Sequence, residues 1–309
     1  MGRVLLLSLL LSLPLVNPSP FALHIGVFVL MYGALGAAWN LVGGYLGRVS
    51  FGHAAFFGVG AYTSLLALER FGITPLLGIP FGAFLAGGLA FLVGAPTLRL
   101  RGHYFALATI GLSEVVRILF VNWSWAGGAV GLEAPLTPSW LTLTFRQKEV
   151  YFYLSIALAL LTAWIAKRLV ETRSGYYWRA IRGDEEAARA LGVPVERYKR
   201  LAFVVSAALT ALWGGFFAHY VGFIDPESVF SLAISVQMVL VSVLGGVGTL
   251  AGPWIGAALL VPLAELTRAG LGGGGRGVDL LIYGLVILGL SLFQPGGLMA
   301  LTMRRRRAA

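Results

Sequence analysis

Residues 171–200, ETRSGYYWRAIRGDEEAARALGVPVERYKR, are the one long polar stretch in an otherwise apolar chain. Apolar segments long enough to cross a bilayer lie on both sides of it. This layout predicts an N-terminal apolar segment, a first membrane half, a polar loop, a second membrane half and a basic tail, at residues 1–20, 21–166, 167–200, 201–296 and 297–309.

The composition indicates a membrane protein. Of the 309 residues, 58% are hydrophobic and 12% are charged, whereas an ordinary soluble domain is about 25% charged. Spans of roughly 20 residues leave room for about eight to ten helices and for no sizeable soluble domain. The expected fold is therefore an all-α polytopic membrane protein with about ten transmembrane helices.

Ten apolar segments are candidate spans. The first, Val4–Val16, is short and contains Pro14, and a cleaved signal peptide is the competing interpretation, although no convincing small-residue cleavage site follows. The other nine are Phe21–Leu46, Ser50–Leu68, Pro75–Ala95, Tyr104–Val121, Val150–Ala166, Leu201–Tyr220, Val229–Leu250, Pro253–Thr267 and Asp279–Phe293.

The distribution of positive charge predicts the orientation. Nine Lys and Arg residues lie between Lys167 and Arg200, four more form Arg304–Arg307, and Arg48, Arg99 and Arg101 follow other spans. With ten spans all of these lie on one side, which the positive-inside rule makes cytoplasmic, together with both termini. The net charge of +10 is thus explained by membrane topology, and no nucleic-acid partner is expected.

Within the polar loop, DEEAARALGVP predicts a short capped helix of about two turns. Asp184 is a good N-cap, and Glu185 and Glu186 lie in the first turn, where the helix dipole favours negative charge. Gly192 and then Pro194 end the helix.

The predicted helix has a small apolar side, made of Ala187, Ala188 and Leu191. This surface is too shallow to form a core of its own, so it is suited to rest on an external partner. A solvated amphipathic loop helix is the alternative that the local pattern leaves open.

Few polar residues lie inside the predicted spans. Glu114 and Arg117 are three residues apart in a span, where an unpaired charge costs about 2.5–3.5 kcal/mol. They mark either a polar point on a solute path or a self-paired structural bridge inside the bundle. His53 is a further candidate for the path, with a satisfied polar contact as the alternative.

The sequence shows no catalytic constellation. It has neither an HExxH motif nor a nucleophile elbow, and no Gly-Lys-Ser or Gly-Lys-Thr of a phosphate-binding loop. The chain is therefore not expected to be an enzyme, to hydrolyse ATP or to bind a cofactor or metal. Cysteine is absent, which excludes disulfides and thiol metal sites.

Two stretches resemble each other: LVGGYLGRVSFGHAAFFGVGAY from Leu41 and LVSVLGGVGTLAGPWIGAALL from Leu240. Each consists of the end of a span, a glycine-rich bend and the start of another span. An internal duplication and a shared low-complexity membrane composition explain the likeness equally well.

The polar loop also resembles a known family. EAARALG, from Glu186 to Gly192, is similar to the EAA-type coupling segment of ABC importer permeases. Its flanks, GYYWRAIRGDEEAARALGVPVERYKRLAFVVSAALTALWG, look like the corresponding region of branched-chain amino acid permeases of the LivM type. GYLGRVSFGHAAFFGVGAYTSLL from Gly44, LRLRGHYFALATIGLSEVVR from Leu98 and LGGVGTLAGPWIGAAL from Leu244 are also similar. The resemblance extends from about Trp39 to Leu298 and departs at residues 123–135, where Ala126, Ala129 and Val130 replace polar positions.

The resemblance implies a permease of a bacterial or archaeal cytoplasmic membrane, within an ABC importer for branched-chain amino acids. Its partners would be a second homologous permease, two ATP-binding subunits that use ATP and Mg²⁺, and an external solute-binding protein. Asp184, Glu185, Glu186, Ala187, Ala188, Leu191 and Gly192 would form the helix that docks on an ATPase. The alternatives are a stand-alone secondary transporter or channel, and an ABC permease for urea, amides or aromatic acids.

Overall fold

The structure is a computed structural model and describes residues 19–135, 138–270, 284 and 297–299. The predicted spans Val4–Val16 and Asp279–Phe293 and the arginine tail lie outside the described residues.

Helices are present at all eight predicted spans in the described part of the chain. In chain order, α1 to α11 are Pro20–Asn40, His53–Phe71, Pro75–Thr97, His103–Asn122, Lys148–Glu171, Arg173–Gly183, Glu185–Ala190, Val195–Val221, Pro226–Val229, Leu232–Gly245 and Gly252–Gly270. A π-helical turn, Leu41–Tyr45, continues α1, and a 3-10 turn, Ser124–Ala126, follows α4.

Among the described residues, six helical segments have the length and apolar composition needed to cross a membrane: Pro20–Tyr45, Pro75–Thr97, His103–Asn122, Lys148–Glu171, Val195–Val221 and Pro226–Gly245. The prediction of a multi-pass helical membrane protein is confirmed. The predicted spans Ser50–Leu68 and Pro253–Thr267 coincide with α2 and α11, which are helical but fall outside this set. The count of ten transmembrane helices therefore stays a prediction.

The centre of the bundle is the contact between α2 and α8, where each helix has a glycine, which carries no side chain. A Cβ atom on Gly60 of α2 would lie 2.1 Å from the carbonyl oxygen of Ala211, and one on Gly214 of α8 would lie 1.9 Å from that of Phe57. The two backbones thus touch directly, as small residues allow in membrane helices, where the hydrophobic effect contributes little to association.

The bundle has two distinct ends. The basic end consists of the segments 46–52, 98–102, 172–200 and 246–251, and the opposite end of 72–74, 123–135, 138–147 and 222–231. At the opposite end, β1 (Leu132–Glu133) pairs antiparallel with β2 (Phe223–Ile224). The described residues are mostly helical, as expected. The two-stranded ribbon is an addition that the sequence analysis did not predict, because short extended segments in loops carry no strand signal.

Candidate coupling site at the basic end

The segment predicted as a polar loop at 167–200 is mostly helical. Helix α5 runs on to Glu171, α8 begins as early as Val195, and α6 lies between them. Trp178 of α6 is fully buried, and its indole N–H donates a 2.8 Å hydrogen bond to the carbonyl oxygen of Tyr198. The sequence analysis did not identify α6, whose buried side chains (Trp178 and Ile181) are three residues apart on one helical face.

Helix α7 is capped as its sequence predicts. The side chain of Asp184 accepts hydrogen bonds from the backbone N–H groups of Glu186 and Ala187, at 2.9 and 3.0 Å. Gly192 follows the helix with φ of +82°, a left-handed conformation that is costly for residues with a Cβ atom. The helix itself has six residues, Glu185–Ala190, slightly fewer than the two turns expected.

Glu185 attaches α7 to the membrane helices. Its carboxylate pairs with Arg48, which precedes α2, and lies 3.1 Å from the Nζ of Lys199 in α8. The side chain of Lys199 is only 2% exposed, and its Nζ also donates to the carbonyl oxygen of Leu98 at 3.0 Å. Buried charges are tolerated when they are paired and hydrogen-bonded in this way. We call Arg48, Glu185 and Lys199 the anchored cluster.

The second acidic residue, Glu186, pairs with Arg101, which precedes α4, and with Arg189 one turn further along α7. Hydrogen bonds from these two guanidinium groups lower the pKa of Glu186. Burial raises the pKa of Glu185, but the hydrogen bonds and charges of Lys199 and Arg48 outweigh it, and the net pKa lies below its usual value. Both carboxylates are thus held ionised at neutral pH.

The apolar side of α7 differs from the expected one. Ala188 is 3% exposed and packs into the bundle, so it is not available to a partner. Leu191 is 86% exposed, and Ala187 and Ala190 are exposed as well. The predicted surface of Ala187, Ala188 and Leu191 is therefore corrected to Ala187, Ala190 and Leu191, because the helix turns Ala188 toward the membrane helices.

A cavity of about 480 Å³ separates part of α7 from the bundle. It lies between the segments 46–51, 101–106 and 181–186, so α7 is attached at its acidic first turn beside an open space. Such an arrangement combines a fixed attachment with room for small displacements.

His53 lies at the start of α2 and is fully buried. The Oγ of Ser206 in α8 lies 2.7 Å from Nε2 of His53, and the Ser206 hydroxyl is also 2.6 Å from the carbonyl oxygen of Ala38. Since the hydroxyl hydrogen is donated to that carbonyl, Nε2–H of His53 donates to Ser206. His53 is therefore a polar link between α1, α2 and α8.

Glu114 and Arg117 pair with each other, but not inside the bundle. The Nε of Arg117 lies 2.9 Å from Glu114, and a further amino group of Arg117 pairs with Glu227 of α9. The side chains of Glu114 and Glu227 are 52% and 74% exposed, so the expectation of a bridge in the bundle interior is corrected. We call Glu114, Arg117 and Glu227 the outward cluster.

Five charged residues at these sites were not identified from the sequence as site residues: Arg48, Arg101, Arg189, Lys199 and Glu227. The charge count predicted the first four on the cytoplasmic side, but it does not say which acid each one meets. Glu227 lies 110 residues from Arg117 in the chain, a separation that no local pattern detects.

Comparisons with known proteins agree with this architecture. The sequence model of a family described as branched-chain amino acid transport system, permease component, matches residues 21–291. The high-affinity branched-chain amino acid transport system permease protein LivM of Escherichia coli (strain K12) is 32% identical over 307 residues, which cover 90% of this chain and 70% of LivM.

More distant relatives also match. The permease protein LivH of Salmonella typhimurium is 25% identical over 289 residues, covering 87% of this chain and 91% of LivH. The autoinducer 2 import system permease protein LsrC of Enterobacter sp. (strain 638) is 32% identical over 171 residues, or 54% of this chain and 48% of LsrC. No solved structure matches the chain. From the family match over residues 21–291 and the extent of the similarity to LivM, this multi-pass membrane protein belongs to the family of branched-chain amino acid transport permeases.

Proposed function

We propose that this chain is a membrane subunit of an ABC importer that takes up branched-chain amino acids. An external solute-binding protein delivers the amino acid, and a second homologous permease chain completes the path through the membrane. Two ATP-binding subunits supply the energy by hydrolysing ATP with Mg²⁺, and one of them docks on α7. The importer has about ten spans in this chain and lies in a bacterial or archaeal cytoplasmic membrane, with both termini in the cytoplasm.

The observation that carries this proposal is the two-sided character of α7. An isolated helix of six residues is unstable in water, and here Glu185 and Ala188 hold it against the bundle. The other side leaves Ala187, Ala190 and Leu191 exposed. Small apolar side chains on a firmly attached helix suit the groove of a partner protein, which in an ABC importer is the ATPase.

The contacts of α7 also provide a route for movement. Through Glu185 it is joined to Arg48 before α2, to Lys199 in α8 and, through Lys199, to the end of α3 at Leu98. Closure of the ATPase around its nucleotide displaces α7 and with it the ends of these helices. A tilt of these helices switches the path between its two open states.

The outward cluster belongs to the transport path in this proposal. Charges that face lipid are costly, at about 2.5–3.5 kcal/mol each on insertion scales, and those of Glu114 and Glu227 are exposed on the isolated chain. Facing water or the second permease chain removes that cost. His53, which is fully enclosed by protein, serves instead as a polar joint between helices.

Reconstitution tests the proposal. The chain is co-expressed with the second permease and ATPase subunits from neighbouring genes, placed in vesicles and supplied with binding protein and radiolabelled leucine. Uptake should require ATP on the ATPase side and should persist when all ion gradients are collapsed. Uptake that continues without the ATPase subunits would contradict the proposal and favour a stand-alone transporter or channel. Competition by urea, amides or aromatic acids, but not by valine, would contradict the assigned solute.

A further inference from the structure

The two glycine-rich stretches that resemble each other in sequence meet at the basic end. Asn40, the last residue of α1, bridges them with both atoms of its amide. Its Oδ1 accepts from the backbone N–H of Gly248 at 2.8 Å, and its Nδ2 donates to the carbonyl oxygen of Thr249 at 2.8 Å. The π-helical turn Leu41–Tyr45 and the loop 246–251 are thereby joined across more than 200 residues of sequence.

Arg182, in the last turn of α6, lies against the same junction. Its Nη1 donates to the carbonyl oxygen of Gly44 in the π-helical turn at 2.5 Å. A Cβ atom on Gly248 would lie 3.0 Å from Nη1, and one on Gly47 would lie 2.7 Å from Cγ of Arg182. The missing side chains at Gly47 and Gly248 therefore make room for the arginine, whose position two residues before the Asp184 cap places it next to α7.

The π-helical turn makes the contact with Arg182 relevant to movement of α1. A π turn inserts one extra residue into a helix and weakens its regular hydrogen-bond ladder, and such turns are frequent at functional sites. Two cavities of about 480 and 460 Å³ border the junction, the first lined by Gly47 and Arg182 and the second by Tyr45 and Gly248. The hydrogen-bonded junction thus lies beside open space.

We propose that Arg182 transmits the displacement of α7 to α1 by linking the end of α6 to the π-helical turn at Gly44. Arg182 is a positioning residue for transport, and its role rests on the proposed function, in which an ATPase moves α7. This route differs from the anchored cluster, whose side chains reach α2, α3 and α8. Among the described residues, that cluster meets the π-helical turn only through the backbone N–H of Arg48, which donates to the carbonyl oxygen of Val42 at 2.9 Å.

The first test compares Arg182→Met with Arg182→Lys in the reconstituted complex. Arg182→Met should lower ATP-driven leucine uptake about tenfold, the upper range for residues that carry coupling between sites. ATP hydrolysis without binding protein and recovery of the assembled complex should stay within about twofold. Arg182→Lys keeps a donor for the Gly44 carbonyl and should recover part of the uptake. The control is Arg173→Met, an exposed arginine at the start of the same helix, which should match wild type.

The second test replaces the hydrogen bond by a covalent link. A Cβ atom on Gly47 would lie 3.4 Å from Cβ of Arg182, close to the separation found in disulfides, and the chain has no native cysteine. Because Gly47 has φ of +77°, a side chain there is strained, and Gly47→Cys alone is the reference variant. Relative to that reference, the double variant Gly47→Cys with Arg182→Cys should lose uptake when reduced and regain it when oxidised. A role of Arg182 in local folding alone predicts no such recovery.

Two results would overturn the inference: uptake by Arg182→Met within about twofold of wild type, or a double-cysteine variant that is no more active oxidised than reduced. Both are read in a complex whose wild type imports leucine with ATP. Failure of the proposed function is distinguishable, because it appears in the wild-type complex as uptake that does not depend on the ATPase.

Discussion

The anchored cluster and the outward cluster contain the same kinds of residue in opposite surroundings. In the anchored cluster, the side chains of Arg48 and Glu185 are 12% exposed and that of Lys199 is 2% exposed. In the outward cluster, Glu114 and Glu227 keep more than half of their side-chain surface exposed. The charges of the anchored cluster are enclosed by the chain itself, whereas the charges of the outward cluster are in contact with whatever surrounds the chain.

The difference shows what each cluster does for the molecule. Desolvated charges interact strongly and become costly when one partner is removed, so the anchored cluster fixes α7 to the bundle. Exposed ion pairs contribute little to stability, so the outward cluster is not explained by stability of the single chain. Its exposed charges on a membrane helix point to water or another chain on that side, in line with the proposed path.

The largest effect is expected when the lysine of the anchored cluster is removed. Lys199→Met leaves the largely buried Glu185 without one of its three cations, Arg48, Arg189 and Lys199, which costs about 3–5 kcal/mol in comparable buried pairs. Arg117→Met in the outward cluster should cost less than about 1 kcal/mol. The midpoint of thermal unfolding of the purified protein in detergent measures both. Equal shifts for the two variants would show that the clusters do not differ in burial as described.

The second prediction distinguishes the attachment of α7 to the bundle from the docking of the ATPase on α7. Leu191→Asp changes a side chain that is 86% exposed, so the thermal midpoint should stay as in wild type. ATP-driven uptake should fall about tenfold, because a carboxylate would be desolvated in the contact with the ATPase. Arg197→Ala, an exposed change just inside α8, is the control and should transport normally. Normal uptake by Leu191→Asp would remove this face of α7 from the docking surface.

The fold could be predicted from the sequence wherever the residues at the ends of an element determine its boundaries. Apolar length located the spans, and Pro20 and Pro75 begin α1 and α3 at the position where proline is preferred in helices. Asp184 and Gly192 bounded α7 because caps act within one turn. The ribbon between Leu132 and Ile224 was missed, since a two-residue strand has no period that a sequence pattern reveals.

The partners of the site residues were less predictable than their positions. Glu185 and Glu186 were expected in the first turn of α7 because the helix dipole favours negative charge there. The structure shows in addition that they pair with Arg48, Arg101 and Lys199 from other elements. Which side of α7 is buried depends on how α6 and α7 pack against the bundle, where Trp178 and Ala188 belong to one buried cluster. Such contacts arise from tertiary packing, so Ala188 was assigned to the wrong side.

The environment of the outward cluster is tested by chemical labelling, for which the cysteine-free chain is well suited. Glu114→Cys should react with a membrane-impermeant thiol reagent in the assembled importer, because it faces a water-filled path. Phe84→Cys, at a similar depth on α3 and 74% exposed in the single chain, should face lipid and stay unlabelled, because thiolates do not form in hydrocarbon. A Glu114→Cys variant that stays as unlabelled as Phe84→Cys would place this part of α4 in ordinary lipid contact.

The smallest effect is a pH dependence that should distinguish Glu185 from its exposed neighbour. The pKa of Glu185 is lowered in the folded protein, so the unfolded chain binds more protons in the interval below its ordinary value of 4.5. The stabilisation is fully present above that value and is lost as the pH falls through the folded pKa. The thermal midpoint of Glu185→Gln should therefore lie below wild type at pH 7 and converge with it as the pH falls through the lowered pKa of Glu185 in the folded protein. Glu186→Gln should show a smaller difference at pH 7, because its pairs are exposed to solvent.

A Glu185→Gln variant as stable as wild type at pH 7 would show that Arg48 and Lys199 do not depend on the carboxylate. It would contradict the role of the anchored cluster in attaching α7 to the bundle.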